Sequence, residues 1–284
     1  MVYDIEKNST NLAYGLEGER LAQAYTIGKA PLLTDTIKVM SYNVGSWTAF
    51  GVKATAENQE TWYSLQNSIL SSENADLAGF QEYYSAIGSY SVPEMLQRYF
   101  LDVFAVDWVS TKAGRAIASK YTMSNAHEVN FQNQTGEERS YLIGDVLIDG
   151  VNVKFITAHL ALDNATIAAQ VQELVSAVRA FEYWILTGDF NANFSDVQST
   201  GYEILVKPFL DAGYHVANGS DFGFIPTFST KKPGDNSDWR CLDNIMCSGN
   251  IDILNVYTDK KKITDHMAYA IDHLPLIADV AISH

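Results

Sequence analysis

Residues Trp184–Asp196 read WILTGDFNANFSD: an apolar strand that runs straight into a cluster of carboxylates and carboxamides. Trp184-Ile185-Leu186 belongs in a core. Asp189, Asn191, Asn193 and Asp196 follow within one short loop. A plain turn accounts for Gly188 with one Asp or Asn. It leaves the remaining polar oxygens at the mouth of a buried strand unexplained.

The same arrangement recurs along the chain. IKVMSYNVGSW ends its strand at Asn43, DLAGFQEYY at Gln81-Glu82, and VKFITAHLAL at His159. RCLDNIMCSG carries Asp243 on a strand, and AIDHLPLIADV places Asp272-His273 just before one. Taken singly, each has an ordinary reading, a turn Asn or a satisfied core His. Together they supply Asp, Glu, Asn and His with no thiolate. Hard oxygen donors of this kind suit Mg²⁺ or Mn²⁺. Two imidazoles beside carboxylates suit a phosphate. The set is what metal-assisted hydrolysis of a phosphate ester requires.

Between these points the periodicity is mixed. Strands are expected at Ile37–Tyr42, Asp76–Phe80, Arg115–Ser119, Tyr141–Ile148, Val151–Thr157, Tyr183–Thr187, Cys241–Cys247 and Leu274–Ile282. Asp149-Gly150 between two apolar runs signals a hairpin. Trp62, Leu65 and Ile69 keep helical spacing. So do Ile167, Val171, Leu174, Val178 and Phe181, after an N-cap at Asp163 or Asn164. Shorter helices are expected near Pro93–Phe100 and Gly201–Leu210. Strands that both alternate with helices and pair as hairpins indicate a mixed α/β sandwich rather than pure βαβ winding.

Composition sets the bounds. The chain has 284 residues, 47% hydrophobic and 19% charged, enough for one large core or two modest ones and unlike a disordered tail. Acidic residues outnumber basic ones 34 to 19, a net −15, which argues against non-specific polyanion binding over the whole surface. It leaves a phosphate substrate open, because a site carries its own cations. No run approaches the roughly 20 apolar residues of a membrane span. MVYDIEKNST lacks an apolar signal core. The expected organisation is an N-terminal extension over residues 1–36 and one catalytic domain over 37–284. A mature secreted or cell-surface form with its leader removed fits, as does a cytoplasmic protein with a decorated N-terminus. Cys241 and Cys247, on one continuous strand, would lie too far apart for a disulfide. They are expected to be buried free thiols on one strand face.

The order of segments resembles the endonuclease/exonuclease/phosphatase superfamily, the deoxyribonuclease-I-like fold, from about Ile37 to Ile282. The matching pieces are MSYNV, FQE, GRAIASKY, ERSYLIGDVLIDGVNVKFITAHL, LTGDFNA, PTFST with WRCLDNIMCSG, and IDHLPLIADV. The resemblance implies an α/β (α+β) four-layer αββα sandwich of two mixed, mainly antiparallel sheets flanked by helices. It implies a Mg²⁺- or Mn²⁺-dependent phosphodiesterase or phosphatase, with a deoxyribonuclease-type nuclease or an inactive binding module on the same fold as rivals. By motif, Asn43, Glu82 and Asp272 would serve the metal. Asp189 would orient or deprotonate the attacking water, and Asn191 would hold that water or a phosphate oxygen. His159 and His273 would hydrogen-bond the phosphate, Asp243 would orient His273, and Arg139 would reach a phosphate oxygen or lie on a strand edge at the surface. Asn193 and Asp196 would cap or start the next turn.

Two features depart from the nucleases of the family. Their tyrosine on the strand before the His segment is replaced here by GRAIASKYTMS, in which Tyr121 is expected to pack. No Arg/Lys-rich loop grips a duplex, and Lys231-Lys232 and Lys260–Lys262 read as solvated. The expected ligand is therefore a small or lipid-headgroup phosphate ester rather than duplex DNA, bound by a monomer. Of two Asp-His pairs, Asp265-His266 and Asp272-His273, only the second precedes a Pro and a core strand, and it is expected to be the catalytic one.

Overall fold

The computed structural model describes residues 36–48, 53–107, 112–229, 238–258 and 272–283. Residues Thr36–Ala281 form one compact unit. The strands of its two large sheets are β1 (Ile37–Asn43), β2 (Leu77–Tyr83), β3 (Asp102–Val106), β4 (Gly114–Ser119), β5 (Met123–Asn130), β6 (Ser140–Ile148), β7 (Val151–His159), β8 (Trp184–Asp189), β9 (His215–Val216), β10 (Asp243–Cys247), β11 (Ile251–Thr258) and β12 (Leu276–Ile282). The two long helices are α1 (Gln59–Glu73) and α2 (Asn164–Val178). One six-stranded sheet has the order β11-β12-β1-β2-β4-β3, the other β9-β10-β8-β7-β6-β5. β1 runs parallel to β2 and β7 to β8, each pair joined through a long helix. β12–β1, β2–β4, β3–β4, β5–β6, β6–β7, β8–β10 and β9–β10 are antiparallel.

The alternation of strand side chains builds the layers. Even-numbered Met40, Tyr42, Ala78, Phe80, Ala116 and Ala118 pack under α1, through its Trp62, Leu65 and Ile69. In the other sheet Ile156, Ala158, Trp184, Leu186 and Met246 pack under α2, through Ile167, Val171, Leu174 and Val178. Each such aliphatic or aromatic side chain, fully buried, stabilises the fold by about 1.5–3 kcal/mol before entropy is counted. The odd-numbered residues of these strands therefore face the opposite sheet. Gln81 Nε2 donates across that gap to Thr157 Oγ1 at 2.8 Å. At Gly79 the sheets come so close that a Cβ would sit 1.9 Å from Thr187 Oγ1. The result is the expected αββα sandwich.

Local signals are realised with small shifts. Asp163 is the N-cap of α2 and accepts from Thr166 N–H at 2.9 Å. Phe181 falls beyond the helix end, its N–H on Val178 C=O, and packs on the same core. Asp149 (φ 48°) and Gly150 (φ 89°) form a two-residue loop between paired Ile148 and Val151. The short helix expected at Pro93–Phe100 spans Val92–Leu96, and that at Gly201–Leu210 is a π-turn, Tyr202–Val206, running into Lys207–Asp211. β3, β5 and β11 carry no clean alternation of apolar residues, and the sequence reading passed over them. β3, β5 and β11 are the outer members of their sheets, where pairing rather than a buried face holds the strand.

Both cysteines are buried free thiols. They do not share a strand face. β10 starts only at Asp243, so Cys241 lies in the preceding segment and packs on the α2 side with Met246. Cys247 Sγ donates to Ile251 C=O at 3.1 Å.

Candidate functional site

The polar residues at the strand ends lie on the inner faces, at one edge of the sandwich. Asn43, His159 and Asp189 are the last residues of β1, β7 and β8. His159 is in register with Asp189, and Asp189 with Asp243, the first residue of β10. Three adjacent strands thus present an imidazole and two carboxylates side by side. Glu82 reaches this edge through a bulge. Strict alternation would turn it toward α1, but the β2–β4 register slips between Gln81 and Tyr83, and Glu82 takes φ 55°. Tyr83 then packs under α1 and Glu82 points to the edge, a use that bulges commonly serve.

Asn43 ties the two sheets together. Its Nδ2 donates to Glu82 Oε1 at 3.0 Å and to Asp189 Oδ2 at 2.8 Å, and its Oδ1 accepts from Gly45 N–H at 3.0 Å. Around Asp189 Oδ2 stand His159 Nε2 at 3.6 Å and His273 Nε2 at 3.5 Å. His273 Nδ1 donates to Asp243 Oδ2 at 2.8 Å, which fixes the ring. Asn191 has φ 55°; its N–H donates to Asp189 Oδ1 at 2.9 Å and its Nδ2 to Leu160 C=O at 3.0 Å. Glu82, Arg139, His159, Asp189, Asn191, Asp272 and His273 all line one cleft of about 400 Å³. Asp243 lies beneath it, fully buried.

Burial and neighbours divide the charges. Burial pushes the Glu82 carboxyl above the usual range, against the hydrogen bond from Asn43. Burial likewise raises Asp189, to about 6; Asp243 adds to this, while His273 and the Asn43 and Asn191 donors favour the anion. For His273, burial favours the neutral ring, but Asp243 and Asp189 together outweigh it and raise the imidazole to about 10. His159 is held well below its ordinary value by burial, then by Arg139, Arg115 and His273. The two histidines therefore differ at neutral pH: His273 is charged and His159 is neutral.

Part of the wall comes from PTFST and from Arg240 of WRCLDNIMCSG, matched in the sequence with no role given to these side chains. Phe228 bridges both Arg240 and His273 through the backbone, and its ring lies 4.7 Å from the His273 ring and 5.5 Å from the Arg240 guanidinium carbon. Thr227 Oγ1 accepts from Asp243 N–H at 3.1 Å, and Thr227 C=O from Leu274 N–H at 2.7 Å, so PTFST holds Asp243 and His273 in step. PTFST was visible as a motif, but nothing in it marked which side chain lines a cleft. Arg115 was read only as a strand residue. It is fully buried and donates through Nη2 to Glu128 Oε1 at 3.1 Å and Ser140 Oγ at 2.5 Å.

Other expectations divide. Arg139 is 3% exposed, so the surface reading of it fails. Asp196 does form a turn, accepting from Gln198 N–H at 2.8 Å. Asn193 does not: its Oδ1 accepts from Cys241 N–H at 3.2 Å, and it lines the cleft. Tyr121 is half-buried. Asp265-His266, Lys231-Lys232 and Lys260–Lys262 lie outside the described residues.

The donor set suits a hard divalent cation. One ligand atom from each of Glu82, His159 and Asp189 falls within 4.8 Å of the others, and the same holds for Asp189, Asp243 and His273. Asp243 Oδ1 and His159 Nδ1 are buried without a hydrogen-bond partner among the described residues. Carboxylates crowded in this way are more stable beside a cation.

Comparison with known proteins gives the same grouping. The model of the Endonuclease/Exonuclease/phosphatase family matches residues 40–266 of the 284. The match stops before Asp272-His273, so the place of that pair in the cleft rests on the geometry above. No curated protein sequence matches. Among solved structures, an endonuclease/exonuclease/phosphatase from Beutenbergia cavernae is 17% identical with a TM-score of 0.67, over 87% of this chain and 72% of that one. D. rerio TDP2 complexed with a single-strand DNA product is 16% identical with a TM-score of 0.64, over 87% and 99%. The human Nocturnin catalytic domain with bound sulfate is 15% identical with a TM-score of 0.61, over 89% and 98%. At such identities the likeness speaks for the fold. With the family match over most of the chain, the twelve-stranded sandwich and its acidic edge have one reading: the chain belongs to the endonuclease/exonuclease/phosphatase family.

Proposed function

We propose that the protein is a divalent-metal-dependent hydrolase of phosphate esters, acting by in-line attack of water. The observation that carries this is Asp189, buried between the sheets, held by Asn43 and flanked by the imidazoles of His159 and His273. Glu82, with Asn43 and Asp272, would hold Mg²⁺ or Mn²⁺, which would supply Lewis-acid charge to the phosphoryl oxygens. The remaining chemistry falls to the chain's own groups. Asp189 Oδ2 faces both imidazole nitrogens, at 3.6 and 3.5 Å, and its raised carboxyl is suited to take the attacking water's proton. Asn191 orients Asp189 and stands beside the same water. His273, charged and fixed by Asp243, donates Nε2–H to a phosphoryl oxygen as negative charge builds. His159 donates from the other side. As the new oxygen–phosphorus bond forms, the ester P–O bond opposite it breaks and the leaving oxygen is released into the cleft.

The net charge of −15 and the mixed lining of Phe228, Leu162 and Leu242 with Arg139 and Arg240 favour a small or lipid-headgroup ester over a duplex. Residues 37–284 are proposed as the catalytic domain, with 1–36 as an extension to it. Hydrolysis of bis-p-nitrophenyl phosphate should appear with Mg²⁺ or Mn²⁺, vanish with chelator and vanish in Asp189→Asn. Turnover that survives chelation in full rejects the metal-dependent reading.

A further inference from the structure

The cleft wall carries a cation whose pairing is incomplete. Arg139 is 3% exposed and its Nη2 meets Glu137 Oε2 at 2.7 Å. Its Nε and Nη1 are buried with no hydrogen-bond partner among the described residues. A guanidinium has five N–H donors, and burying a charged group with donors unused is costly. Arg139 lines the cleft with His159 and Glu82, so a ligand bound there meets an incompletely paired cation whose Nη2 is held by Glu137.

The two partners are held very differently. The Arg139 backbone is pinned: its N–H donates to Gln134 Oε1 at 2.8 Å, and its C=O accepts from Gln134 Nε2 at 2.7 Å. The next residue opens β6. Glu137 instead follows Gly136 (φ 70°) in a tight turn, and its side chain is 44% exposed. Thr135, before that glycine, is tied to Asp163 and to Thr166 Oγ1 at the head of α2. The loop is anchored and the arginine backbone is fixed, while the glutamate side chain of the pair already meets solvent. An ion pair with one exposed partner is weakly held. A phosphate offers more acceptor oxygens in a geometry that fits a guanidinium edge.

We propose that Glu137 and Arg139 form an exchangeable ion pair, a counterion seat from which a phosphate group of the ligand displaces Glu137. The inference rests on the phosphoester reading and adds a selection to it. A ligand must outbid a carboxylate already in place, so dianionic phosphate is favoured over weaker anions. The seat takes either the phosphate being cleaved or a second phosphate on the same molecule. The chemistry is shared, and substrates separate the two.

Calorimetry on chelator-treated protein with inorganic phosphate tests the seat without turnover. Glu137→Gln should bind phosphate about three- to tenfold more tightly than wild type, since the competitor is gone and the arginine remains. Arg139→Lys, which keeps the charge but loses the fork, should bind more weakly. In the presence of Mg²⁺, Glu137→Gln should lower KM for thymidine 3′-(p-nitrophenyl phosphate) if the seat takes the scissile group. If it takes a second phosphate, KM should fall only for the 5′-phosphorylated form. Phosphate affinity in Glu137→Gln that equals wild type, or is undetectable, overturns the proposal. Failure of all hydrolysis would sink the enzyme reading instead, and would leave the calorimetric result to stand or fall by itself.

Discussion

His273 shows how much of the site depends on single contacts. Its ring is bound by Asp243 at 2.8 Å and faces Asp189, and the two carboxylates raise it to about 10 against the cost of burial. An unfolded histidine titrates near 6.5. With the folded value above the unfolded one, the stabilisation is complete below about 6.5 and is lost as pH rises through about 10. In chelator-treated protein the His273 imidazole should stay protonated through neutral pH by NMR, and Asp243→Asn should bring its titration down and flatten the fall of Tm between pH 7 and 10. His273→Ala should cost at least about two orders of magnitude in turnover, the scale of one transition-state donor. His266→Ala should stay within a few-fold of wild type; the opposite ranking would mean the wrong pair was assigned. Glu82 carries the complementary prediction. Burial disfavours its charge, so Glu82→Gln should abolish metal-stimulated hydrolysis while Tm in chelator stays at or above wild type. Near-normal turnover of Glu82→Gln at low Mg²⁺ would remove it from the metal site.

At the scale of elements, the site exists because two βαβ units present their strand ends to each other across a narrow gap. Gly79 sets that gap: a Cβ there would meet Thr187 Oγ1 at 1.9 Å and Thr157 Oγ1 at 2.6 Å, on two strands of the other sheet. Both are short, stiff side chains, so the backbone must move. Gly79→Ala should therefore lower stability by about 1–3 kcal/mol in denaturant titration. It should also reduce kcat, because Asn43 no longer reaches Asp189. An unchanged midpoint with unchanged kcat would show that the spacing of the sheets is not what sets the site. The glycine was visible in DLAGFQEYY, but nothing near it along the chain explains it. Strand alternation alone would put Gln81 at the edge; the motif named Glu82, and the β2–β4 slip with the positive φ of Glu82, which come from the pairing with β4, carry it there.

For the whole molecule, charge is the deciding quantity. With 34 acidic against 19 basic residues, the charge balance works against holding a duplex through many phosphate contacts. Plasmid nicking at physiological salt should be slow beside hydrolysis of bis-p-nitrophenyl phosphate. Efficient nicking that Asp189→Asn abolishes would promote the nuclease reading. Among the described residues no helix is long and apolar enough to cross a membrane.

By itself the sequence determined what depends on neighbours along the chain. Helical spacing gave α1 and α2, Asp149-Gly150 gave the hairpin, and the chemical types at the strand ends pointed to the hard-cation and phosphate chemistry proposed above. It also determined parity, since alternation puts Asn43, His159, Asp189 and Asp243 each on one definite face. The tertiary structure alone decided which faces meet. Asn43 and Asp189 are 146 residues apart and share a 2.8 Å hydrogen bond. Arg115 is buried only because Glu128 and Ser140 arrive from the other sheet. Glu137 became a partner for Arg139 only once its turn was anchored to α2. Period and propensity act over a few residues, whereas pairing, burial and charge state depend on groups that the chain brings together only when it folds.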